Sequence, residues 1–385
     1  MKIAFKLAFK NLIGAGLRTW LNVAVLAFCF IVIVFYNGFL NGWQNQGRQD
    51  AMDWEYGHGQ LLHANYNPYD VFSIQNGHGN LSAEKTEDLS AVLVRQASVY
   101  PKGRMNPVLL KGISIDQKVI KLPIKLLAQS DVEFPVLIGK RMAETLKVKA
   151  GDQVLLRWRD KNGTYDAANI TVEAIFESKV ATIDNGQIWL GLDKLREMTG
   201  LTNEASYFIA HEAYQPTAIA GWEFQALSTL LKDFDAAVQA ERIASVIIYS
   251  VLLALGLLAV FDTQVLSIFR RQKEIGTYIA LGMTRNQVLK IFTIEGSMYS
   301  IFGGIAGIIL GAPLFFYTLS QGINVGSEIE GMGVQFADVI YPTFGLTLLA
   351  GTFVILVFTA TLVSFLPARK ISKLNPVYAL KGRIS

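Results

Sequence analysis

The sequence predicts an α-helical membrane protein with four transmembrane helices and a mixed α/β domain between the first and the second of them. Apolar runs long enough to cross a bilayer lie at residues 20–40, 243–269, 294–317 and 341–366. Between the first two runs lie about 200 residues of soluble character, enough for a domain with its own core. The composition agrees, because 51% of the residues are apolar and only 17% are charged, below the share typical of soluble proteins.

The basic residues predict the orientation of the chain in the membrane. Residues 1–18 contain four Lys or Arg and no acid, and residues 367–385 contain five and no acid. Residues 270–290 contain five against one acid, whereas residues 318–340 contain three acids and no base. Because cytoplasmic loops are enriched in Lys and Arg, both termini and the 270–290 loop are expected in the cytoplasm. The domain at 41–240 and the short external loop at 318–340 are expected on the opposite side.

The N-terminal segment, residues 1–19, is predicted to be an amphipathic cytoplasmic helix. Lys2, Lys6 and Lys10 follow at intervals of four residues and so form one basic stripe. Such a helix lies on the inner leaflet and braces the first span; alternatively, its lysines only fix the topology of that span. At the other end, residues 367–385 are predicted to be a cytoplasmic tail.

Residues 41–240 mix strand and helix patterns, which predicts the α/β domain. The segment 82–97 is expected to be a helix with Ser82 as its N-cap. Asn162-Gly163 lies between two strand-like runs and predicts a hairpin. The other expected elements are strands at 108–115, 152–159, 170–177, 187–190 and 205–210 and short helices at 140–146 and 192–198.

A long helix is expected to connect this domain to the second span. No proline occurs between Thr217 and Arg271, and only Gly221 and Gly256 interrupt the segment. The pattern therefore predicts one continuous helix that forms a stalk, or a shorter helix if the chain breaks near Gly221 or Asp233.

The sequence contains none of the motifs that mark the common hydrolases. It has no GxxxxGK[ST] phosphate-binding loop, no HExxH and no GxSxG. The histidines His58, His63, His78 and His211 lack the spacing and the cysteine partners of a metal site, and the single cysteine, Cys29, lies in an apolar run. We therefore expect no catalytic residue, no metal and no cofactor, and any ATP hydrolysis by a separate subunit.

Polar residues inside the apolar runs are expected to have a specific role. Asp262 lies eight residues before Arg270, in the inner leaflet, where it forms either a static packing contact or a switch whose partner changes. Glu295 lies near the start of the third span, where a helix N-terminus would stabilise its carboxylate. Glycines at four-residue intervals predict close helix packing in the third span: Gly303, Gly307 and Gly311.

The 270–290 loop has the pattern of a short helix held between two spans. Gly282 ends the helical pattern, and Thr284 and Gln287 make a capping box that starts the next helix. A helix of this kind fits the groove of a cytosolic partner or forms a turn on the membrane surface, and the pattern allows both. Its apolar ridge consists of Ile275, Ile279 and Leu281.

This loop and the span after it resemble the FtsX-domain permeases of ABC transporters. The matching run is Arg271-Gln-Lys-Glu-Ile-Gly-Thr-Tyr-Ile-Ala-Leu-Gly282-Met-Thr-Arg285, followed by Glu295-Gly296 and the glycines of the third span. The tail matches at Pro367-Ala368-Arg369 and Asn375-Pro376-Val377-Tyr378-Ala379-Leu380. The domain looks like that of the lipoprotein-releasing, LolC/LolE-type branch at Gly57-His-Gly-Gln-Leu-Leu-His63, Leu110-Lys-Gly-Ile-Ser-Ile-Asp116 and Ile138-Gly-Lys-Arg-Met-Ala-Glu144.

The resemblance implies a MacB-like architecture, with an FtsX-like domain at about residues 243–380 and a MacB-like core in the α/β domain. It implies a permease subunit that pairs with a second copy or a paralogous subunit and binds a dimer of cytosolic ABC ATPases. The implied location is the bacterial cytoplasmic (inner) membrane. The ATPase-coupling residues that the family pattern implies are Arg271, Lys273, Glu274, Ile275, Gly276, Ile279, Gly282 and Arg285.

The resemblance also implies a cargo. A permease of this branch extracts lipoproteins from the inner membrane, in contact with membrane lipids, and hands them to a periplasmic carrier; no nucleic acid is involved. Two alternatives share much of the architecture. One is a MacB-type exporter of macrolides or peptides, and the other is an FtsX-like signalling scaffold that controls cell-wall hydrolases.

Overall fold

The computed structural model describes residues 16–81, 88–325 and 339–373. The chain divides into two compact units. The α/β unit comprises residues 44–236 and 324–339, and the membrane unit comprises the rest of the chain. Most of the expected N-terminal helix, at 1–19, lies outside the described residues, as does the tail beyond residue 373.

The helices alternate between long spans and short domain elements. In chain order they are α1 (Leu17–Ala51), α2 (Lys140–Leu146), α3 (Ala181–Asp184), α4 (Leu192–Thr199), α5 (Leu227–Leu230), α6 (Lys232–Arg270), α7 (Gln272–Ala280), α8 (Arg285–Gln321) and α9 (Leu346–Ala368). A π-helical turn, Met52–Tyr56, continues α1. Short 3₁₀ turns lie at Val71–Gln75, Pro101–Gly103, Ile124–Gln129 and Arg369–Lys373.

The strands belong mainly to one sheet of the α/β unit. They are β1 (Gly59–His63), β2 (Gly79–Asn80), β3 (Leu89–Val99), β4 (Asn106–Ile113), β5 (Pro135–Gly139), β6 (Gln153–Arg159), β7 (Tyr165–Phe176), β8 (Gln187–Gly191), β9 (Glu204–Ala205), β10 (Tyr207–Ala210), β11 (Trp222–Ala226), β12 (Ile323–Asn324) and β13 (Val339–Ile340).

Four helices of the described chain are long and apolar enough to cross a membrane, which confirms the four expected spans. These helices are α1, α6, α8 and α9. Each of α1, α6 and α8 extends beyond the apolar run that predicted it, because polar residues at both ends continue the helix. By contrast, α9 begins at Leu346, five residues after the start of its apolar run at 341.

In the membrane unit, glycines of α8 let α1 approach closely. A Cβ atom built on Gly303 would lie 2.7 Å from Leu26 Cβ, and one built on Gly307 would lie 2.7 Å from Phe30 Cδ1. Gly311 lies next to Ile31 of α1 and to Phe315 of its own helix. The four-residue spacing of these glycines therefore places them against α1, as expected for small residues at a helix interface in a membrane.

The main sheet of the α/β unit has nine strands in the order β11-β1-β10-β3-β4-β8-β5-β7-β6. The pairs β4–β8 and β5–β7 are parallel, and the other neighbours are antiparallel. Because β6 also pairs with β3, six of the strands close on themselves around a hydrophobic core. Alternate residues of β6 point into this core: Val154, Leu156 and Trp158.

The expected helix at 82–97 is wrong in its described part. Residues 89–99 form β3, which pairs with β10 on one side and β4 on the other, and residues 82–87 lie outside the described residues. Both faces of β3 are buried at Val92, Leu93 and Val94. A strand buried on both faces gives a continuous apolar run, which does not show the alternation that distinguishes a strand from a helix.

The expected continuous helix from Thr217 to Arg271 is also wrong, and the break near Asp233 is what the structure has. Gly221 adopts a φ of +81°, and β11 follows it and pairs with β1. The long helix α6 starts only at Lys232. β11 is only five residues long and contains no proline. The local sequence therefore gives no signal that separates this strand from the helix that follows.

The other expected elements of the domain agree with the structure. Strands β4, β6, β7, β8 and β10 and helices α2 and α4 lie at the expected places. The hairpin at Asn162-Gly163 joins β6 to β7, where Gly163 has a φ of +81° and Asp160 N donates to Thr164 O at 3.0 Å.

Gly307→Leu should destabilise the membrane unit. The added side chain has no space beside Phe30, and overpacking of this kind costs about 1–3 kcal/mol. The measurement is the unfolding temperature of the purified protein in detergent. Gly351→Leu is the control, because nothing lies within 4 Å of a Cβ at Gly351. Equal unfolding temperatures for the two variants would show that α1 does not pack at Gly307.

Candidate functional site

The coupling segment, residues 271–287, follows α6. It consists of the short helix α7, a turn and the start of α8. Helix α7 ends at Ala280, and Gly282 has a φ of +97°, a conformation that favours glycine. The next helix begins with a complete capping box: Gln287 N donates to Thr284 Oγ1 at 3.3 Å, and Thr284 N donates to Gln287 Oε1 at 2.8 Å. Glycine and the capping box therefore fix where α7 ends and α8 begins.

An apolar cluster holds α7 against the ends of the neighbouring spans. Ile275 is fully buried in it, and Ile279 packs at its edge. The buried partners are Ile268 of α6, Val288 and Phe292 of α8, Ala368 of α9 and Ile371 of the last 3₁₀ turn. The coupling segment is thus part of the membrane unit's own core.

The expected apolar ridge of Ile275, Ile279 and Leu281 does not face outward as one surface. Ile275 points into the cluster and Ile279 is half-buried, whereas Leu281 is 79% exposed. The spacing of the three residues could not show this, because the same apolar residues fit a partner's groove or the chain's own core. Leu281 alone of the three presents a large apolar surface to a partner.

A buried ion pair ties the start of the coupling segment to α8. Arg271 Nη1 donates to both carboxylate oxygens of Glu295, at 3.1 Å and 2.9 Å. Arg271 Nε donates to Glu274 Oε2 at 2.7 Å, and the guanidinium lies 4.8 Å from the ring centroid of Phe292. Glu295 is only 3% exposed. The guanidinium therefore bridges α7, through Glu274, to the N-terminal third of α8.

The two carboxylates stabilise the positive charge of Arg271. Burial by itself would lower the pKa of the guanidinium, but the charges and hydrogen bonds of Glu295 and Glu274 raise it above its ordinary value. The guanidinium stays charged across the physiological pH range, since an arginine is protonated throughout it.

The partner of Glu295 differs from the expectation. Helix α8 begins at Arg285, so Glu295 lies almost three turns inside the helix, beyond the reach of the helix N-terminus. Arg271 supplies the positive charge instead. Both residues belong to the family-like motifs, but no local pattern indicates that residues 24 positions apart in the chain form a pair.

The remaining expected coupling residues separate into buried and exposed groups. Gly276 is buried within α7, together with Ile275. Lys273, Glu274, Gly282 and Arg285 are exposed. The buried residues hold the segment in place, and the exposed ones are accessible to another protein.

Asp262 points away from the bundle. It is exposed, and it forms no hydrogen bond or ion pair with another described residue of the chain. Its neighbour Thr263 faces inward, where Asn22 Nδ2 donates to Thr263 Oγ1 at 2.8 Å. Asp262 is therefore not a packing contact within the described part of this bundle.

The described histidines make structural contacts. His78 Nδ1 pairs with Glu204, and the ring of His63 lies edge-on to Trp222 with 5.2 Å between ring centroids. In the described parts of the chain, no three His, Cys, Asp or Glu residues are grouped so that they could hold a metal ion.

Comparisons with known proteins match the last three spans and the coupling segment to a family. Residues 246–376 match the model of the FtsX-like permease C-terminal domain. The lipoprotein-releasing system transmembrane protein LolC of Xylella fastidiosa (strain 9a5c) is 23% identical over 325 residues, covering 76% of this chain and 77% of that relative. LolC of Neisseria meningitidis serogroup B is 25% identical over 322 residues, covering 74% and 76%.

Other similar proteins match a smaller part. The macrolide export ATP-binding/permease protein MacB of Wolinella succinogenes is 31% identical over 136 residues, which cover 34% of this chain and 18% of that relative. Among solved structures, the extracellular domain of the noncanonic ABC-type transporter YknZ from Gram-positive bacteria is 14% identical with a TM-score of 0.25, covering 40% of this chain and 83% of that one.

Arg271→Ala should strongly destabilise the membrane unit. It leaves the buried carboxylate of Glu295 without a counter-charge, and breaking a buried pair in this way costs about 3–5 kcal/mol. The measurement is the unfolding temperature in detergent. Glu274→Gln is the control, because Glu274 bonds to the same guanidinium from an exposed position, where a pair contributes about 0–1 kcal/mol. If both variants lose the same stability, the Arg271–Glu295 pair is not what holds the segment.

Proposed function

Residues 246–376 of this chain form an FtsX-like permease domain, and from that premise we propose that the protein is an ABC transporter permease subunit that releases lipoproteins from the inner membrane. The observation that supports lipoproteins as the cargo is the extent of the similarity. The LolC relatives match about three quarters of the chain, which is more than the membrane unit and so includes part of the α/β unit. The MacB relative matches only about a third of it. The specific resemblance outside the spans is thus to proteins named for lipoprotein release.

The energy would come from a dimer of cytosolic ABC ATPases. The chain contains no GxxxxGK[ST] loop with which to bind nucleotide by that route. Lys273, Leu281 and Arg285 supply a basic and apolar exposed surface on the coupling segment. A short helix of this kind fits a groove on a partner. Arg271, Ile275 and Ile279 would then keep the segment attached to the spans while the ATPases move it.

The charge distribution supports an orientation with both termini and the coupling segment in the cytoplasm. The 270–290 loop is basic, and the 318–340 loop is acidic. The 41–240 domain would then lie outside the membrane on the periplasmic side. Helix α6 is continuous from Lys232 to Arg270, about 58 Å at 1.5 Å per residue, and so joins the last residues of the domain to the coupling segment. Movement of that segment would reach the domain along this helix, as mechanical transfer of the cargo requires.

The working unit would be a pair of permease subunits. One side of α6 is exposed along several turns, at Ile248, Val251, Leu255 and Leu258, and Asp262 continues the same stripe. The intervals alternate between three and four residues, the spacing of a helix–helix seam. A carboxylate in this stripe is unfavourable against lipid. We therefore propose that a second copy or a paralogous subunit packs against this face.

A periplasmic carrier would take the released cargo.

Native mass spectrometry of the complex purified from membranes tests the cargo and the pairing together. The expected spectrum contains two permease subunits, two ATPase subunits and a bound mass equal to an acylated lipoprotein. A complex without acylated protein that retains macrolides or peptides would instead support export of the MacB type, which the MacB relative favours. A complex with neither an ATPase nor a cargo would contradict the proposed function.

Leu281→Asp should weaken the ATPase interaction without unfolding the protein. Leu281 is exposed, so the change removes apolar contact area with the partner and none from the core. We expect at least a roughly tenfold loss in affinity for the ATPase, measured by titrating it onto the permease in nanodiscs. Phe72→Asp is the matched control, since Phe72 is also exposed but lies in the α/β unit. Equal affinities for the two variants would place the ATPase elsewhere.

A further inference from the structure

Two polar side chains lie buried in the membrane unit without hydrogen-bond partners among the described residues. Gln264 of α6 and Ser364 of α9 are both 0% exposed. The amide nitrogen and the amide oxygen of Gln264 have no partner in the described chain. The hydroxyl oxygen of Ser364 has none there either. Buried polar groups are normally paired, and an unpaired one inside a membrane helix bundle is unfavourable. Two of them from neighbouring helices therefore require an explanation.

The two side chains meet the same point of a third helix, Gly296 of α8. A Cβ atom built on Gly296 would lie 2.2 Å from Ser364 Oγ and 3.0 Å from Gln264 Nε2. Both atoms lie close to that one point, so they are at most about 5 Å apart, yet no hydrogen bond joins them. A methyl group does not fit between Gly296 and Ser364, and so neither does a water molecule. The two polar groups are therefore near each other but not joined.

The position of Gly296 depends on the coupling segment. Gly296 directly follows Glu295, whose carboxylate is bound by Arg271. Thr263, which precedes Gln264, is satisfied by Asn22. Gln264, one position further along α6, thus differs from Thr263 because it has no hydrogen-bond partner among the described residues. The unpaired groups lie where movement of the coupling segment would first reach the spans.

We propose that the helices α6, α8 and α9 can pack at Gly296 in two positions. Gln264 and Ser364 are the positioning residues that stabilise the second position. In the described position, both side chains lie against Gly296 and are not bonded to each other. In the second position, α8 withdraws and the helices shift by about 2 Å, a common size for helix movements in switching proteins. The amide of Gln264 then donates a hydrogen bond to Ser364 Oγ. The inference rests on the proposed function only for the source of the movement, which is the ATPase acting through Arg271 and Glu295.

A double-mutant cycle on the full chain tests this without any partner protein. Gln264→Leu, Ser364→Ala and the double variant are compared by their unfolding equilibrium in detergent. In the otherwise unchanged protein, neither change should lower the unfolding temperature, because neither group is bonded, and the two effects should add. Ser300→Ala is the control for removing a buried serine hydroxyl, since Ser300 Oγ donates to Ser297 O of its own helix at 2.6 Å.

The same cycle is then repeated in a Gly296→Ala background. The added methyl group excludes the described position, so α8 must withdraw and the second position is populated. There, Gln264→Leu and Ser364→Ala should be coupled by about fivefold in the unfolding equilibrium, the effect of one hydrogen bond. Ser300→Ala should show no such coupling to Gln264→Leu. If Gly296→Ala does not accumulate, Glu295→Gln serves as the second background, because it releases α8 from Arg271.

Two results would overturn the inference. Coupling of Gln264 and Ser364 in the unchanged background would mean that they are already bonded to each other. Additivity in both backgrounds would mean that they never meet. Because the cycle uses neither ATPase nor cargo, a failure of the proposed function leaves its outcome interpretable.

Discussion

The ion pair between Arg271 and Glu295 is the interaction on which the coupling segment depends. An arginine that holds a buried carboxylate with two hydrogen bonds cannot leave it without exposing an unpaired charge to an apolar surrounding. Helix α7 is therefore bound to the third span by electrostatics as well as by the apolar contacts of Ile275. Whatever moves α7 also moves α8. The rest of the bundle is arranged around this connection, with α1 against the glycines of α8 and with Gln264 and Ser364 against Gly296.

Some polar side chains of the membrane unit form contacts between its helices, such as Asn22 with Thr263. What the structure offers is a segment that is fixed to the spans on one side and exposed at Leu281 on the other. Under the proposed function, such a segment would transmit force from a partner. The similarity to LolC extends over 76% of the chain, and the proposed function takes its cargo from that similarity.

The sequence predicted what depends on local pattern and missed what depends on pairing. The four spans and the capping box of Thr284 are local, and they are found where expected. The strand β3 was missed because burial on both faces hides its alternation, and β11 because a short strand precedes a long helix. The partner of Glu295 was missed for another reason. Residues that meet in space but lie far apart in the chain leave no trace in a single sequence, and the same holds for Gln264 and Ser364.

Hydrogen–deuterium exchange of the complete complex tests the central claim most directly. Backbone exchange is compared before and after a non-hydrolysable ATP analogue binds, in the wild-type permease and in Glu295→Gln. The account predicts that exchange in residues 272–280 and 288–300 changes together in the wild type. In Glu295→Gln, only the first segment should change, because the link to the third span is weakened. An unaltered response of residues 288–300 in the variant would contradict the account.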